Sequence, residues 1–439
     1  MNSFFKKIVL AVLAWEARAV LAKFQPKIVA VTGSVGKTST KEAIAAVLSA
    51  KYRVRKSAKS YNSNFGVPLT IVGLSTAWQS PTGWARVLIQ GFLARFQKEY
   101  PEILVLEAGV DHPGDMDGTL SIIEPRVSVI TAIGEIPVHV EFFSGPKELA
   151  FEKGKLARGT MSTGLVLLNA DDDVVYDMRN EARGKVVTFG FGKNADVRAS
   201  QYALVTQKND LQIEVPAGIR CKIDCQGSTV PLRMNGVLGR QQLYIASAAI
   251  GVGGYFGINA LESTRALEGY HSVPGRLSII EGIKNSIILD DTYNASPTAM
   301  HAALDTLRDV PARRRIAVLA DMLEIGKFTI QAHQAMGELA ASFVHVLITV
   351  GPRAKFIARE AIERGMKRDT VHEASSAVDA GKLLQEMLQP GDVVLVKGSQ
   401  SMRMERVVEE VMAHPELKKD LLVRQDEYWK KETESMMKG

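Results

Sequence analysis

Residues 29–43 read VAVTGSVGKTSTKEA, an apolar run that breaks at Thr32-Gly33 and resumes as helix-forming sequence after Gly36-Lys37-Thr38. A strand that ends in a glycine turn and passes straight into a helix aims backbone N–H groups and the positive end of the helix at whatever fills the turn. That arrangement favours phosphate oxygens. Lys37 adds positive charge at the β- and γ-phosphates, and the Thr38 hydroxyl is a ligand for Mg²⁺. The longer form of such a loop needs a glycine five residues before Gly36, where Val31 stands, so this is the shorter Thr-Gly-x-x-Gly-Lys-Thr. A loop of this kind can drive a motor, time a switch or activate a substrate for bond formation.

The surrounding pattern is α/β. KIVAV (27–31), ILVLE (103–107), VSVIT (127–131) and LVLLN from Leu165 are short apolar runs with helical sequence between them. Strands alternating with helices predict a parallel sheet covered on both faces. From about Lys185 to Val237 the runs KVVTFGF, LQIEV and CKIDC predict a small, mostly antiparallel subdomain, followed by a helix near Gln241–Tyr255. HSVPGRL (271–277) breaks the pattern with Pro and Gly. The α/β rhythm then restarts at 286–291, 315–321, 346–351 and 393–398. The predicted organisation is an N-terminal amphipathic helix (1–25), a central P-loop domain (26–271) containing the β subdomain, and a Rossmann-like α/β domain (272–439).

A chain of 439 residues with 46% hydrophobic and 23% charged residues can fill two or three cores. Its net charge of +6 suits an anionic ligand such as a nucleotide but is too dispersed to imply nucleic-acid binding. Arg313-Arg314-Arg315 reads as a solvated approach to a strand. Cys221 and Cys225, four apart in an alternating segment, fall on one strand face; no Cys/His cluster accompanies them, and a reducing cytoplasm fits. At the N-terminus the uninterrupted apolar run is Ile8–Trp15, well short of the roughly 20 residues needed to span a bilayer. Apolar residues at 5, 8, 9, 12, 13, 20 and 24 suit an amphipathic helix. It either packs on the next domain or lies on a membrane surface with Lys6 and Lys7 at the headgroups.

Eight segments stand in an order and spacing that resemble the Mur ligase family: TGSVGKTSTKEA, NSNFGVPLT, LEAGVDHPGDM, HVEFFSGPKELAFEKGK, PGR, DDTYNASPTAM, LADMLEIGK and VKGSQSMRME. Within the family the chain looks most like members that add D-alanyl-D-alanine. The resemblance covers about Lys27 to Val408. It implies an ATP-dependent, ADP-forming carboxylate–amine ligase of peptidoglycan precursor synthesis in the cytoplasm, with ATP, two Mg²⁺ ions, a UDP-muramoyl tripeptide and D-alanyl-D-alanine as its partners. A carboxylate does not react usefully with an amine. Phosphorylation by ATP makes it an acyl phosphate, which an amine attacks with loss of phosphate.

The resemblance also implies roles. Thr32, Gly33, Ser34, Val35, Gly36, Lys37, Thr38 and Ser39 would hold the ATP phosphates. Glu107 would bind Mg²⁺ with Thr38; independently, it ends a strand, so its carboxylate projects at the sheet edge where ligands bind and where a hard cation wants oxygen. His139 would hold a second Mg²⁺, although on the residues alone it reads as a packed or surface histidine. Lys153, on its face a solvated helix lysine, would be carbamylated: CO₂ adds to the neutral amine and leaves an anion. Lys155 competes for that role, and the match EKGK favours Lys153.

Arg276 would reach the nucleotide phosphates, and Asp290, Asp291, Tyr293 and Asn294 would hold ribose and base. One aspartate of the pair also reads as a helix N-cap. Asp321, Lys397 and Ser399 would face the incoming amine and the carboxylate, and Asn62 and Asn64 belong to a substrate-side loop, Asn62–Thr70. Two features depart from the family. Gln241, Gln242 and Ile245 stand where it shows His-Asn and a further Asn, which leaves adenine to the glutamines. About 26 residues precede the first strand, too few for the N-terminal domain that grips the UDP end of the substrate. The expectation is that this end is held differently, held by a partner, or absent from a lipid-linked or other non-UDP acceptor. A P-loop ATPase switch working through partners would need neither the carboxylate nor the second metal.

Overall fold

The structure is a computed structural model that describes residues 3–58, 65–77, 80–209, 211–426 and Trp429. Asn62 and Asn64 lie outside the described residues. Nine strands form the first sheet: β1 (Lys27–Thr32), β2 (Val54–Lys56), β3 (Ile103–Glu107), β4 (Val127–Ile130), β5 (Leu165–Asn169), β6 (Lys185–Gly190), β7 (Val197–Lys208), β8 (Glu214–Cys225) and β9 (Ser228–Asn235). Their order is β2-β3-β1-β4-β5-β6-β7-β8-β9. β3, β4 and β5 are buried along their whole length, as parallel strands covered on both faces must be.

Alternation along β1 shows the two layers. Val29 and Val31 face a core with Ile44, Leu48 and Leu243, whereas Ile28 and Ala30 face one with Leu149 and Leu156. The helices that supply these layers are α1 (Ser3–Phe24), α2 (Lys37–Ser49), α3 (Gly66–Val72), α4 (Pro81–Ala94), α5 (Asp115–Leu120), α6 (Pro146–Arg158), α7 (Asp173–Asp177), α8 (Gln241–Tyr255) and α9 (Ala260–Glu268).

The antiparallel strands extend this sheet rather than standing apart from it. β6 pairs parallel with β5, and Phe189 and Gly190 of β6 pair with Val197 and Arg198 of β7. Only β7, β8 and β9 are antiparallel, so that region begins at Val197, not at Lys185. The alternation of β8 sends Ile219, Cys221, Ile223 and Cys225 into the same core as α8. Both cysteines are free and buried, and burial pushes the Cys221 thiol up to about 12.

The second sheet holds β10 (Ser278–Gly282), β11 (Ser286–Asp291), β12 (Arg314–Ala320), β13 (Val346–Val350), β14 (Val371–Ala374) and β15 (Asp392–Lys397), in the order β10-β11-β15-β12-β13-β14. β10 alone is antiparallel to its neighbour. Helices α10 (Pro297–Asp309), α11 (Thr329–Ala341), α12 (Lys355–Glu363), α13 (Ala377–Met387) and α14 (Glu405–Val411) accompany it. The arginine triplet is not a solvated run. Arg314 forms a pair with the buried Asp392 at 2.6 Å, and Arg315 donates to the carbonyls of Leu307 and Val310, which anchors the start of β12.

α1 packs its inner face, as its periodicity predicts. Val9 and Leu13 meet Leu69 of α3 and Trp84 and Val87 of α4. No described helix is long and apolar enough to cross a membrane. Glu16 is the polar exception on this face. It is buried against Gly91, where a Cβ would strike its carboxylate, and burial pushes the carboxyl up to about 7. The folded chain therefore holds this proton more tightly than the unfolded one. Its contribution is full below pH 4.5 and is lost as pH rises through 7. Relative to the parent, Glu16→Gln should raise the thermal midpoint above pH 7 and leave it nearly unchanged below pH 4.5.

Candidate active site

Register sets the site. Val31 pairs with Glu107 and Thr32 with Ile130, so the phosphate loop and the end of β3 emerge at one edge of the sheet. The loop is sewn to β4's exit by Ser34 N and Val35 N, which donate to Ala132 O at 2.6 and 3.1 Å. Gly36 precedes α2 in the left-handed region (φ 86°). Lys37 folds back over the loop, its Nζ donating to Gly33 O at 2.8 Å. Burial lowers the pKa of this amine, opposed by Glu107. Thr38 Oγ1 donates to Glu107 Oε2 at 3.0 Å, and both residues are buried.

Among the described residues no three His, Cys, Asp or Glu side chains converge to hold a metal ion. The donors that do converge are a hydroxyl and a carboxylate. Neighbouring oxygens around an octahedral Mg²⁺ stand about 3 Å apart, and this ion keeps waters and substrate phosphates as its remaining ligands. Thr38 and Glu107, at 3.0 Å, fit it.

Lys153 and Lys155 of α6 have opposite surroundings. Lys153 is 1% exposed, and its Nζ donates to Gly33 O at 3.2 Å from behind the loop. Burial first, then the neighbouring Lys37, hold its pKa well below the usual lysine value, against the pull of Asp111, Asp115 and Glu152. Lys155 lies 2.5 Å from Asp117 and 2.6 Å from Glu152, and these hydrogen bonds raise its pKa. Of the two, Lys153 is the amine pushed toward its neutral form.

His139, in the left-handed region (φ 70°), faces the second sheet's loops. Its Nδ1 lies 3.0 Å from Glu324 Oε2 and its Nε2 3.4 Å from Asp111 Oδ1. The His139 ring beside it holds the Glu324 carboxyl below its usual range. Sequence reasoning singled out neither acid, although both lie inside the segments that carry the family resemblance.

Two cavities flank the loop. The larger, about 640 Å³, is lined by Val35, Gly36, Ser39, Gln241, Gln242, Ile245, Arg276, Asp291 and Lys397. Asn169 and Tyr244, which sequence reasoning missed, line it too; Asn169 ends β5 as Glu107 ends β3, and that position was the available signal. Gln242 is 2% exposed and its Oε1 has no partner, a carbonyl left for a ligand N–H. The smaller cavity, about 490 Å³, is lined by Ser34, Lys37, Glu107, His139, Arg276, Tyr293, Asn294 and Ser399. Arg276 belongs to both, with its guanidinium 3.9 Å from the Tyr293 ring centre.

Asp290, Asn294 and Asp321 each accept hydrogen bonds from backbone N–H groups. Asp290 is wholly buried, accepts from Thr292 and from Gly275 N, and so ties the boundary loop to β11; burial pushes its carboxyl up to about 6. Neither aspartate of the pair caps α10, because Ser296 does. Asn294 spends its Oδ1 on Ala295 N and Gln400 N. Asp321 lines neither cavity: its Oδ1 accepts from Arg353 N and Ala354 N at 2.9 and 2.7 Å.

Lys397 Nζ lies 2.5 Å from Asp291 Oδ2 and also donates to Asn294 O. Removing one partner of a buried pair strands the other charge. Lys397→Met should cost about 3–5 kcal/mol in urea unfolding, and Asp291→Asn in the same chain should restore part of the loss.

The family model for the Mur ligase middle domain matches residues 31–253, and that for the Mur ligase glutamate ligase domain matches 275–400. A UDP-N-acetylmuramoyl-tripeptide–D-alanyl-D-alanine ligase of Bacillus subtilis is 28% identical over 401 residues, covering 91% of this chain and 79% of that protein. Its namesake in Escherichia coli is 28% identical over 399 residues, covering 90% and 78%. The MurF ligase of Thermotoga maritima, solved in complex with ADP, superposes with a TM-score of 0.73 at 25% identity, covering 91% of this chain and 83% of that one. Mycobacterium tuberculosis folylpolyglutamate synthase, also with ADP, shares the fold at a TM-score of 0.64 and 15% identity, covering 90% and 94%.

Proposed function

This chain belongs to the Mur ligase family, and from that premise we propose that it is an ATP-dependent ligase of peptidoglycan precursor synthesis that joins D-alanyl-D-alanine to a UDP-muramoyl tripeptide. The observation that carries the reading is Lys153, a buried amine whose Nζ lies 3.2 Å from Gly33 O of the phosphate loop, where burial lowers its pKa. A nucleotide switch has no use for such a group, whereas a ligase can convert it to an anion.

On this reading ATP lies in the larger cavity, with its base end at Gln242 and its phosphates on the loop. Thr38 and Glu107 would hold one Mg²⁺, and His139 with carbamylated Lys153 a second. Mg²⁺ when bound offsets negative charge at the phosphates. Lys37 leaves the carbonyl of Gly33 and follows the γ-phosphoryl group as it passes to the acceptor carboxylate. The acyl phosphate forms in the smaller cavity. The dipeptide amine attacks its carbonyl carbon, the new C–N bond forms, and phosphate leaves. Arg276, shared by both cavities, spans the ATP and acceptor sites. A cleft between two sheets excludes water that would hydrolyse the acyl phosphate.

The test is product mass spectrometry with ATP, Mg²⁺, UDP-muramoyl tripeptide and D-alanyl-D-alanine. The expected result is one amide product, with ADP and phosphate released only when both substrates are present. ATP turnover indifferent to both would refute ligation and favour the switch. Amide formation only on a lipid-linked or other non-UDP acceptor would keep the chemistry and replace the substrate.

A further inference from the structure

The outward face of α4 is apolar. The helix buries Trp84 and Val87 against α1 and α3, and Gly91 lies against Glu16 of α1. Its opposite side carries Ile89, Phe92 and Leu93, and Phe96 follows in the turn just past the helix; the four are spaced i, i+3, i+4 and i+7 and exposed by 63%, 40%, 53% and 62%. A surface helix ordinarily places polar groups there. α1 continues the face with Ile8 and Trp15, both exposed, and the Trp15 and Phe92 rings stack with centroids 6.4 Å apart. The Arg95 guanidinium sits 3.8 Å from the Phe92 ring centre and 4.9 Å from that of Phe96. None of these residues lines either cavity.

The exposed charges that α1, α4 and the turn up to Lys98 place beside the patch have one sign. Lys7, Arg18, Arg86 and Lys98 are exposed at its margins. The sole acid of α1 and α4, Glu16, is buried, and the next acids along the chain, Glu99 and Glu102, approach Arg53. A contiguous apolar patch of this kind marks an interaction surface. A second copy would bring the same cations against each other, which disfavours a symmetric contact. A layer of anionic headgroups over acyl chains complements both the cationic margin and the apolar centre.

We propose that this two-helix face docks the chain on the surface of a membrane containing anionic phospholipid. α1 and α4 lie in the plane of the membrane, with Ile89, Leu93 and Phe96 below the headgroups. The docking is independent of the ligase reading, because it uses residues outside both cavities.

The full chain would be sedimented with vesicles of phosphatidylcholine and phosphatidylglycerol in equal parts, and with phosphatidylcholine alone. Binding to the anionic vesicles should be at least about tenfold stronger at low salt. The variant Ile89→Ser/Leu93→Ser/Phe96→Ser should lose about tenfold or more of that binding while unfolding at the parent's temperature. Should that variant fold poorly, Arg86→Glu/Lys98→Glu reads the same surface through its charge and should also weaken binding. Equal binding to both vesicle types, no binding to either, or well-folded variants that bind like the parent would each overturn the proposal. A dimer in sedimentation velocity that the apolar variant abolishes would assign the face to a second copy and overturn it as well.

Discussion

Lys153→Ala is expected to cut amide formation by about a thousandfold with little change in stability. The amine lies 1% exposed, 3.2 Å from Gly33 O, where burial and Lys37 favour its neutral form. A neutral amine has a lone pair for CO₂: the N–C bond forms, a proton leaves to solvent, and a carbamate anion replaces what would have been a second buried cation beside Lys37. Removing the side chain removes that anion. A small carboxylate such as acetate, entering the space vacated, should return part of the turnover. Lys155→Ala is the control. Its amine is held protonated by Asp117 and Glu152 and should be nearly dispensable. Steady-state ADP release with both substrates present reads all three. Parental turnover in Lys153→Ala would remove the basis of the ligase assignment.

Gly33→Ala should abolish measurable ATP binding, whereas Gly36→Ala should only weaken it. Gly33 sits at φ 142°, where its missing Cβ would collide with Thr131 Oγ1 and lie 3.1 Å from Ala132 O. Ala132 O is also the acceptor for Ser34 N and Val35 N, so the loop cannot shift without giving up the bonds that shape it. The space around Gly36 is open, with nothing nearer than 3.9 Å to its would-be Cβ. The cost there is the left-handed backbone alone, about 1–2 kcal/mol for an L-residue. Isothermal titration with ATP separates the two. Tight binding by Gly33→Ala would mean that the loop's packing on β4 does not govern phosphate recognition.

Much of the site was legible because it lies at strand ends. Runs such as KIVAV and ILVLE identify buried parallel strands by composition, and whatever follows them arrives at the sheet's ligand edge. That put the loop, Glu107 and Asp291 beside the two cavities. Asp290, Asn294 and Asp321 share the position, and their side-chain oxygens accept from backbone N–H groups. Sequence position does not distinguish a carboxylate that faces a cavity from one that pins a loop. Asp111 and Glu324 were missed for the complementary reason: they enter the site through their approach to His139, which reaches one of them across the cleft.

The sequence by itself determined the alternation of strands and helices, the short phosphate loop and the family, because local apolar runs, glycine turns and motif spacing are properties of consecutive residues. Tertiary structure alone decided that the antiparallel strands extend the first sheet and that Lys153 is buried while Lys155 is paired with Asp117 and Glu152. It also decided that the outer side of α4 is left uncovered. Each of these depends on which distant residues become neighbours. Pairing, desolvation and exposure are set by the surroundings of a group and not by its place in the chain.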